Sequence, residues 1–233
     1  MTNKISKQII DVKQRIAHAT KNAGRINNSV QLLSVSKTKP VADIKQAYKS
    51  GLRQFGENYV QESIEKIKEL RLDDGFFSDI VWHFIGSLQS NKTRLVATHF
   101  DWVQSVENIK IARRLNDQRP QTLKPLNICL QVNVSEEQTK SGASLSQIIE
   151  LASQISSLPN IILRGIMAIP KNTDNLMELE EQFNLMHALF TTLKETYSNV
   201  DTLSMGMSRD LYTAIKCGST MVRIGTDIFG SRN

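Results

Sequence analysis

Lys37 is the residue on which any covalent chemistry in this chain would turn. It closes the run Val30–Pro40, V-Q-L-L-S-V-S-K-T-K-P. Leu33, Val35 and Lys37 share one parity and Leu32, Ser34 and Ser36 the other, so a strand here carries an amine at the end of one face. Pro40 then stops the strand and suits the first turn of a helix. At the mouth of a sheet or barrel, beside apolar side chains, such an amine is partly desolvated. Its pKa falls, and the neutral form that builds a Schiff base with a carbonyl becomes available. Lys39 has the same parity, but the apolar run ends at Val35 and Pro40 holds Lys39 in the following loop, which favours Lys37. Taken alone, a surface lysine just beyond a strand is the simpler explanation, and the rest of the chain has to decide.

Two loops near the C-terminus offer anion chemistry. They read S-M-G-M-S-R-D from Ser204 and R-I-G-T-D-I-F-G from Arg223. In the first, Gly206 lets the backbone turn closely, Met207 follows, and Ser208 can cap the next helix so that its first N–H groups face an anion. Gly225 and Thr226 repeat the arrangement ahead of a short terminal turn. Ordinary helix caps would look the same. Arg223 is sharper: with Val222 and Ile224 facing outward, it points into the barrel mouth, where a guanidinium must be paired or hydrogen-bonded. It could donate to a cofactor's ring nitrogen, or form an inward salt bridge with a carboxylate such as Glu57; both stay open. Asn58 and His83 end or line strands at the same rim, although a satisfied core histidine is the plainer role for His83. Lys140 is a further amine in the loop after the fifth strand.

These residues need elements to position them, and hydrophobic periodicity supplies a strict alternation. Ile5, Ile9, Val12, Ile16 and Ala19 mark an amphipathic helix stopping near Gly24. Strands are expected around Val30–Lys37, Gln54–Asn58, Val81–Gly86, Trp102–Val106, Asn127–Val134, Ile161–Ile169, Thr202–Gly206 and Met221–Gly225. Between them lie helices from Pro40, from Val60, over Leu88–Ala97, from Ile109, over Leu145–Ser157, from Asp174 and over Ser208–Cys217. Ser144 with Gln147 reads as a capping box. Eight strands alternating with helices call for a parallel sheet, and eight units favour a closed (β/α)8 barrel with an extra N-terminal helix. In such a barrel, active sites lie at the C-terminal ends of the strands, with phosphate often held after strands seven and eight. The whole chain, 1–233, is expected to be one domain.

Composition narrows the function classes. A net charge of +6 and a pI near 9.3 would permit nucleic-acid contact. The basic residues are interleaved with acidic ones, though, aromatics are only 6% of the chain, and no RNP-like run, zinc spacing or basic tail is present. No apolar run approaches the roughly 18 residues of a membrane span, and no signal peptide is visible. A cytoplasmic protein is therefore expected by default. Cys129 and Cys217 have no metal or redox spacing and read as packing thiols.

Six motifs taken together resemble the pyridoxal phosphate homeostasis protein family, which is similar to the N-terminal barrel of alanine racemase. They are V-S-K-T-K-P, F-G-E-N-Y-V-Q-E, W-H-F-I-G-S-L-Q-S-N-K, G-I-M-A-I-P, S-M-G-M-S and S-T-M-V-R-I-G-T-D-I-F-G, in order from about Gln31 to Gly230. The resemblance implies pyridoxal 5′-phosphate held as a Schiff base on Lys37. It also implies phosphate contacts around Ser208, Gly225 and Thr226, and Arg223 at the pyridine nitrogen. Arg209 departs from the acidic or small residue expected there. The implied role is vitamin B6 homeostasis without robust catalysis, with the cofactor and enzymes that need it as partners; a monomer is expected because nothing in the sequence suggests an obligate interface. A small amino-acid racemase is the alternative, with only Tyr59 and His83 as candidate second bases. A lysine-dependent phosphosugar aldolase is a third reading, which Lys37 on the first strand and the Arg223 motif argue against.

Overall fold

The computed structural model describes residues 4–73, 75–135 and 141–231. Lys140 lies outside them. Eight parallel strands close into a barrel in chain order: β1 (Gln31–Val35), β2 (Gln54–Glu57), β3 (Val81–Phe84), β4 (Trp102–Val106), β5 (Leu126–Val132), β6 (Ile161–Ala168), β7 (Thr202–Ser204) and β8 (Met221–Ile224). The crossover helices are α2 (Val41–Lys49), α3 (Val60–Arg71), α4 (Thr93–His99), α5 (Ile109–Gln118), α6 (Leu145–Ser156), α7 (Leu176–Thr196) and α8 (Leu211–Lys216). α1 (Lys4–Asn22) precedes the barrel and the short α9 (Thr226–Phe229) follows β8. The (β/α)8 architecture with its extra N-terminal helix is the one the periodicity predicts.

The apolar stripe of α1 is buried at Ile5, Ile9, Val12, Ile16 and Ala19. Just beyond it, Arg25 Nη1 donates to the carbonyls of Ile215 and Ser219, at 2.9 and 2.7 Å, which fastens the end of α1 to the α8 region. The main core lies between strands and helices, where alternate residues such as Phe55, Phe84, Val222 and Ile224 are buried. The opposite parity fills the barrel itself: Trp102, Cys129 and Met167 form a separate apolar cluster. Phe77, which had no place in the periodicity, is buried with its ring 4.8 Å from that of Tyr48.

Several boundaries differ from the pattern reading, each for a local reason. β1 ends at Val35, so Lys37 sits in a turn two residues past the strand. α4 begins at Thr93, five residues later than Leu88. The chain between is loop because Gly86 crosses the backbone of Asn58 so closely that a Cβ there would lie 2.2 Å from the Asn58 carbonyl oxygen. α7 opens at Leu176 with Asn175 as its cap, accepting from the Met177 and Glu178 N–H groups. α8 opens at Leu211, so Asp210 and not Ser208 stands at its N-cap position. The Ser144–Gln147 capping box is present. Among the described residues no helix is long and apolar enough to cross a membrane, and no group of His, Cys, Asp and Glu could hold a metal ion.

Candidate functional site

At the C-terminal end of the barrel lies a cavity of about 800 Å³. Lys37 enters it because β1 alternates: Leu33 and Val35 point inward, and the turn continues that parity to Lys37, which is half-buried in the lining. Pairing of Leu33 with Arg223 across the β1–β8 seam puts the two cationic residues at the same mouth. Lys39 instead donates its amine to the carbonyl of Ser231 at 2.8 Å and does not line the cavity.

Arg223 is 5% exposed and borders the cavity. Its Nη1 donates to the Ser204 carbonyl at 2.7 Å and to Ser204 Oγ at 2.9 Å, and its Nη2 to the Ala168 carbonyl at 2.9 Å. Those bonds use three of a guanidinium's five N–H groups and leave Nε–H and one Nη2–H. The alternative partner, Glu57, faces the other way: it shares parity with Phe55, looks out toward α3 and pairs with Lys66 at 3.1 Å. The inward salt bridge is thereby corrected. Burial lowers the Arg223 pKa to about 10, opposed by the field of Asp210. The group is still a cation at neutral pH.

The two loops with anion chemistry meet across from Lys37. Met207, Ser208, Gly225 and Thr226 all line the cavity. Gly206 does not; it lies beneath, with φ +96°, where a Cβ would stand 2.5 Å from that of Ala214. The turn is completed by Asp210, whose carboxylate accepts from the Met207 N–H. At the start of α9 the Ile228 N–H bonds the Gly225 carbonyl at 3.0 Å, while those of Thr226 and Asp227 have no carbonyl within their own helix. Arg15 of α1 ties the loops together, with Nη2 donating to the Ser208 carbonyl at 3.0 Å and Nη1 to Asp227. Nothing in the sequence pattern singles out Arg15, because its partners lie about two hundred residues away.

Asn58 also lines the cavity, and its Oδ1 is buried with no hydrogen-bond partner. His83 is placed deeper than the rim. It is fully buried inside the barrel, stacked on Trp102 at 5.1 Å between ring centroids, and absent from the lining. Tyr59 is 52% exposed at the N-cap of α3 and does not line the cavity either. The pattern reading missed the wall formed by Met167 and the segment from Ile169 to Leu176. Its signal was available: Met167 and Ile169 share parity at the end of a strand. Arg209 and Asp210 line the cavity as well. The lining holds four cationic residues (Lys37, Lys171, Arg209, Arg223) and two acidic ones (Asp174, Asp210), a net charge of +2 that suits an anion.

Residues 11–233 match the family model "Alanine racemase, N-terminal domain". The chain is 52% identical over 231 residues to the pyridoxal phosphate homeostasis protein of Pasteurella multocida, covering 98% of each. It is 54% identical over 224 residues to the protein of the same name from Haemophilus influenzae, covering 95% of this chain and 93% of that one. Among solved structures, PipY of Synechococcus elongatus with PLP bound superposes with a TM-score of 0.78 at 34% identity, covering 92% of this chain and 100% of PipY.

Behind the cavity the barrel interior is polar, and its bonds fix one proton. Ser204 Oγ donates to Gln104 Oε1 at 2.7 Å, so the Gln104 amide turns its NH2 to His83 Nδ1 at 3.0 Å. His83 therefore carries its proton on Nε2, which is buried without a partner. Burial lowers its pKa to about 3. Protonation then favours the unfolded chain, so this contribution to stability is complete above the ordinary value of 6.5 and is lost progressively as pH falls toward 3. Ring nitrogen shifts of His83 should stay flat between about pH 8 and 5; a titration centred near the ordinary value would contradict the burial.

Proposed function

Since the chain belongs to the pyridoxal phosphate homeostasis proteins, and to the family of the alanine racemase N-terminal domain, we propose that it holds pyridoxal 5′-phosphate through a Schiff base on Lys37 and serves the homeostasis of that cofactor. When bound, this group supplies an aldehyde that condenses with a neutral lysine amine, losing water, into a Schiff base. The observation that carries the reading is the convergence of Lys37, Arg223 and the two loops at Ser208 and Gly225–Thr226 on one cavity.

The lining fits each part of such a ligand. Ser208 and Thr226 offer hydroxyl donors, and the start of α9 offers backbone N–H groups, to a phosphate. The net positive lining favours the same dianion. Arg223 offers its spare N–H groups to a ring nitrogen; as a cation at neutral pH it keeps that nitrogen unprotonated, which weakens the ring as an electron sink. The side-chain Oδ1 of Asn58, buried without a partner, can accept from a ligand hydroxyl. Proton transfer at both faces of an amino-acid substrate would need a second acid–base group opposite Lys37. No tyrosine or histidine is among the described residues lining the cavity; of its other acid–base groups, Asp210 accepts from the Met207 N–H, Lys171 pairs with Glu178 and Asp174 is exposed, which supports a holding role over a racemase.

Borohydride reduction of the purified protein should bleach its visible absorption and leave a pyridoxyl group that peptide mass mapping places on Lys37. Lys37→Ala should lose that label and keep its fold. A label found mainly on Lys39 or Lys140 would overturn the assignment. For the phosphate loops, Ser208→Ala combined with Thr226→Val should weaken pyridoxal 5′-phosphate far more than pyridoxal. At about 1.5–3 kcal/mol per charged hydrogen bond, the pair amounts to roughly two to four decades of affinity. Equal losses for both ligands would show that these side chains only shape the turns. Finally, α-proton exchange of L-alanine and other L-amino acids in deuterium oxide should run near the rate of free cofactor. Brisk, Lys37-dependent formation of a D-enantiomer would establish the racemase instead.

A further inference from the structure

Beneath the turn that carries Lys37 lies a buried cluster of charge that no ligand contact explains. Ser36, on the outward parity, donates its hydroxyl to Glu57 Oε1 at 2.6 Å. Lys66 of α3 donates its ammonium to the Ser36 carbonyl at 2.9 Å and to both Glu57 oxygens, at 3.1 and 3.2 Å. It also reaches Glu62 Oε1 at 2.5 Å. The same Glu62 oxygen accepts the Thr38 N–H at 2.6 Å. Residues 36 and 38 are thus held from below, on either side of Lys37.

Two features make this arrangement costly for packing alone. Glu57 is wholly buried and Lys66 is 6% exposed, and a buried ion pair is commonly no more stabilising than apolar residues of the same volume. Thr38 has φ 63°, a left-handed conformation that a β-branched residue adopts only when its surroundings impose it. The turn is closed by its own bond, Lys39 N–H to the Ser36 carbonyl at 3.0 Å, and the charged groups brace it further through Thr38 N–H and the hydroxyl and carbonyl of Ser36. Burial raises the pKa of Glu57, while Lys66 and the Ser36 hydroxyl oppose the rise.

We propose that Glu57, Glu62 and Lys66 are positioning residues for Lys37: they hold the 36–38 turn in its strained form so that the amine enters the cavity at one place. The inference rests on the reading of Lys37 as the ligand's amine, and it concerns residues that do not line the cavity.

Glu62 is half-exposed on a helix, so Glu62→Ala removes the acceptor of Thr38 N–H with little demand on the core; Lys66→Met removes the central cation. In unliganded Glu62→Ala, hydrogen exchange at the Thr38 amide should lose its protection. With pyridoxal 5′-phosphate, both variants should fix the ligand on Lys37 about ten- to a hundredfold more slowly, the scale of a displaced reacting group. Borohydride should then spread the label toward other lysines. Affinity for 4-deoxypyridoxine 5′-phosphate, which has no aldehyde, should stay unchanged, and Glu62→Gln, which keeps an acceptor oxygen, should recover most of the rate. If the wild-type label misses Lys37, the underlying reading fails. If the wild type labels Lys37 and folded Glu62→Ala does so equally fast with Thr38 still protected, the positioning role is wrong and the Lys37 reading stands. Should Lys66→Met not fold, Glu62→Ala decides alone.

Discussion

The alternation of side chains along β1 is the constraint on which the site depends. Successive residues of a strand face opposite sides, so Leu33, Val35 and Lys37 enter the barrel while Ser34 and Ser36 turn to the helices. A slip of one residue would send Ser36 into the cavity and bury Lys37 against α3. Closure removes that freedom. Four consecutive pairs from Gln31–Met221 to Ser34–Ile224 lock β1 to β8, and Leu33 faces Arg223 across the seam. The amine and the guanidinium line one cavity because the barrel closes there, although 186 positions separate them in the chain.

Closing a barrel around polar groups requires that they satisfy one another. Arg223, Ser204, Gln104 and His83 do so in a line spanning β8, β7, β4 and β3, with Gln104 also 3.2 Å from the sulfur of Met221. Each bond sets the direction of the next: a guanidinium can only donate, so the hydroxyl gives its proton to the glutamine oxygen, and the glutamine gives its own to the imidazole. The line ends in an unpartnered Nε2 and begins at the cavity wall. Its effect is to hold one edge of the guanidinium inside the barrel while the other edge looks outward.

Much of this was legible in the residue pattern, for reasons that also mark its limits. Parity is a local property, and it placed Lys37 and Arg223 at the barrel mouth from a few neighbours each. The same rule applied to Phe55 would have turned Glu57 outward and removed it as a partner for Arg223. His83 was a harder case: its inward parity is genuine, but depth inside a barrel depends on stagger between strands, which periodicity does not carry. Helix starts shifted where tertiary contacts overrode local signals, as at Gly86 over Asn58 and at Asp210 under Met207. Arg15 had no signal at all. Its role exists only because α1 docks across the loops that follow β7 and β8.

If the proposed phosphate sits between those loops, that docking couples the N-terminal helix to it by thermodynamic linkage. One guanidinium spans the Ser208 carbonyl and the Asp227 carboxylate, so seating α1 and setting the distance between the two loops are a single event. Coupling of this kind is reciprocal: an occupant that draws the loops together tightens the helix against the barrel by the same free energy with which the seated helix tightens the occupant. An element outside the strand–helix repeat would then act as a latch, its opening and the release of the proposed anion reporting on one equilibrium.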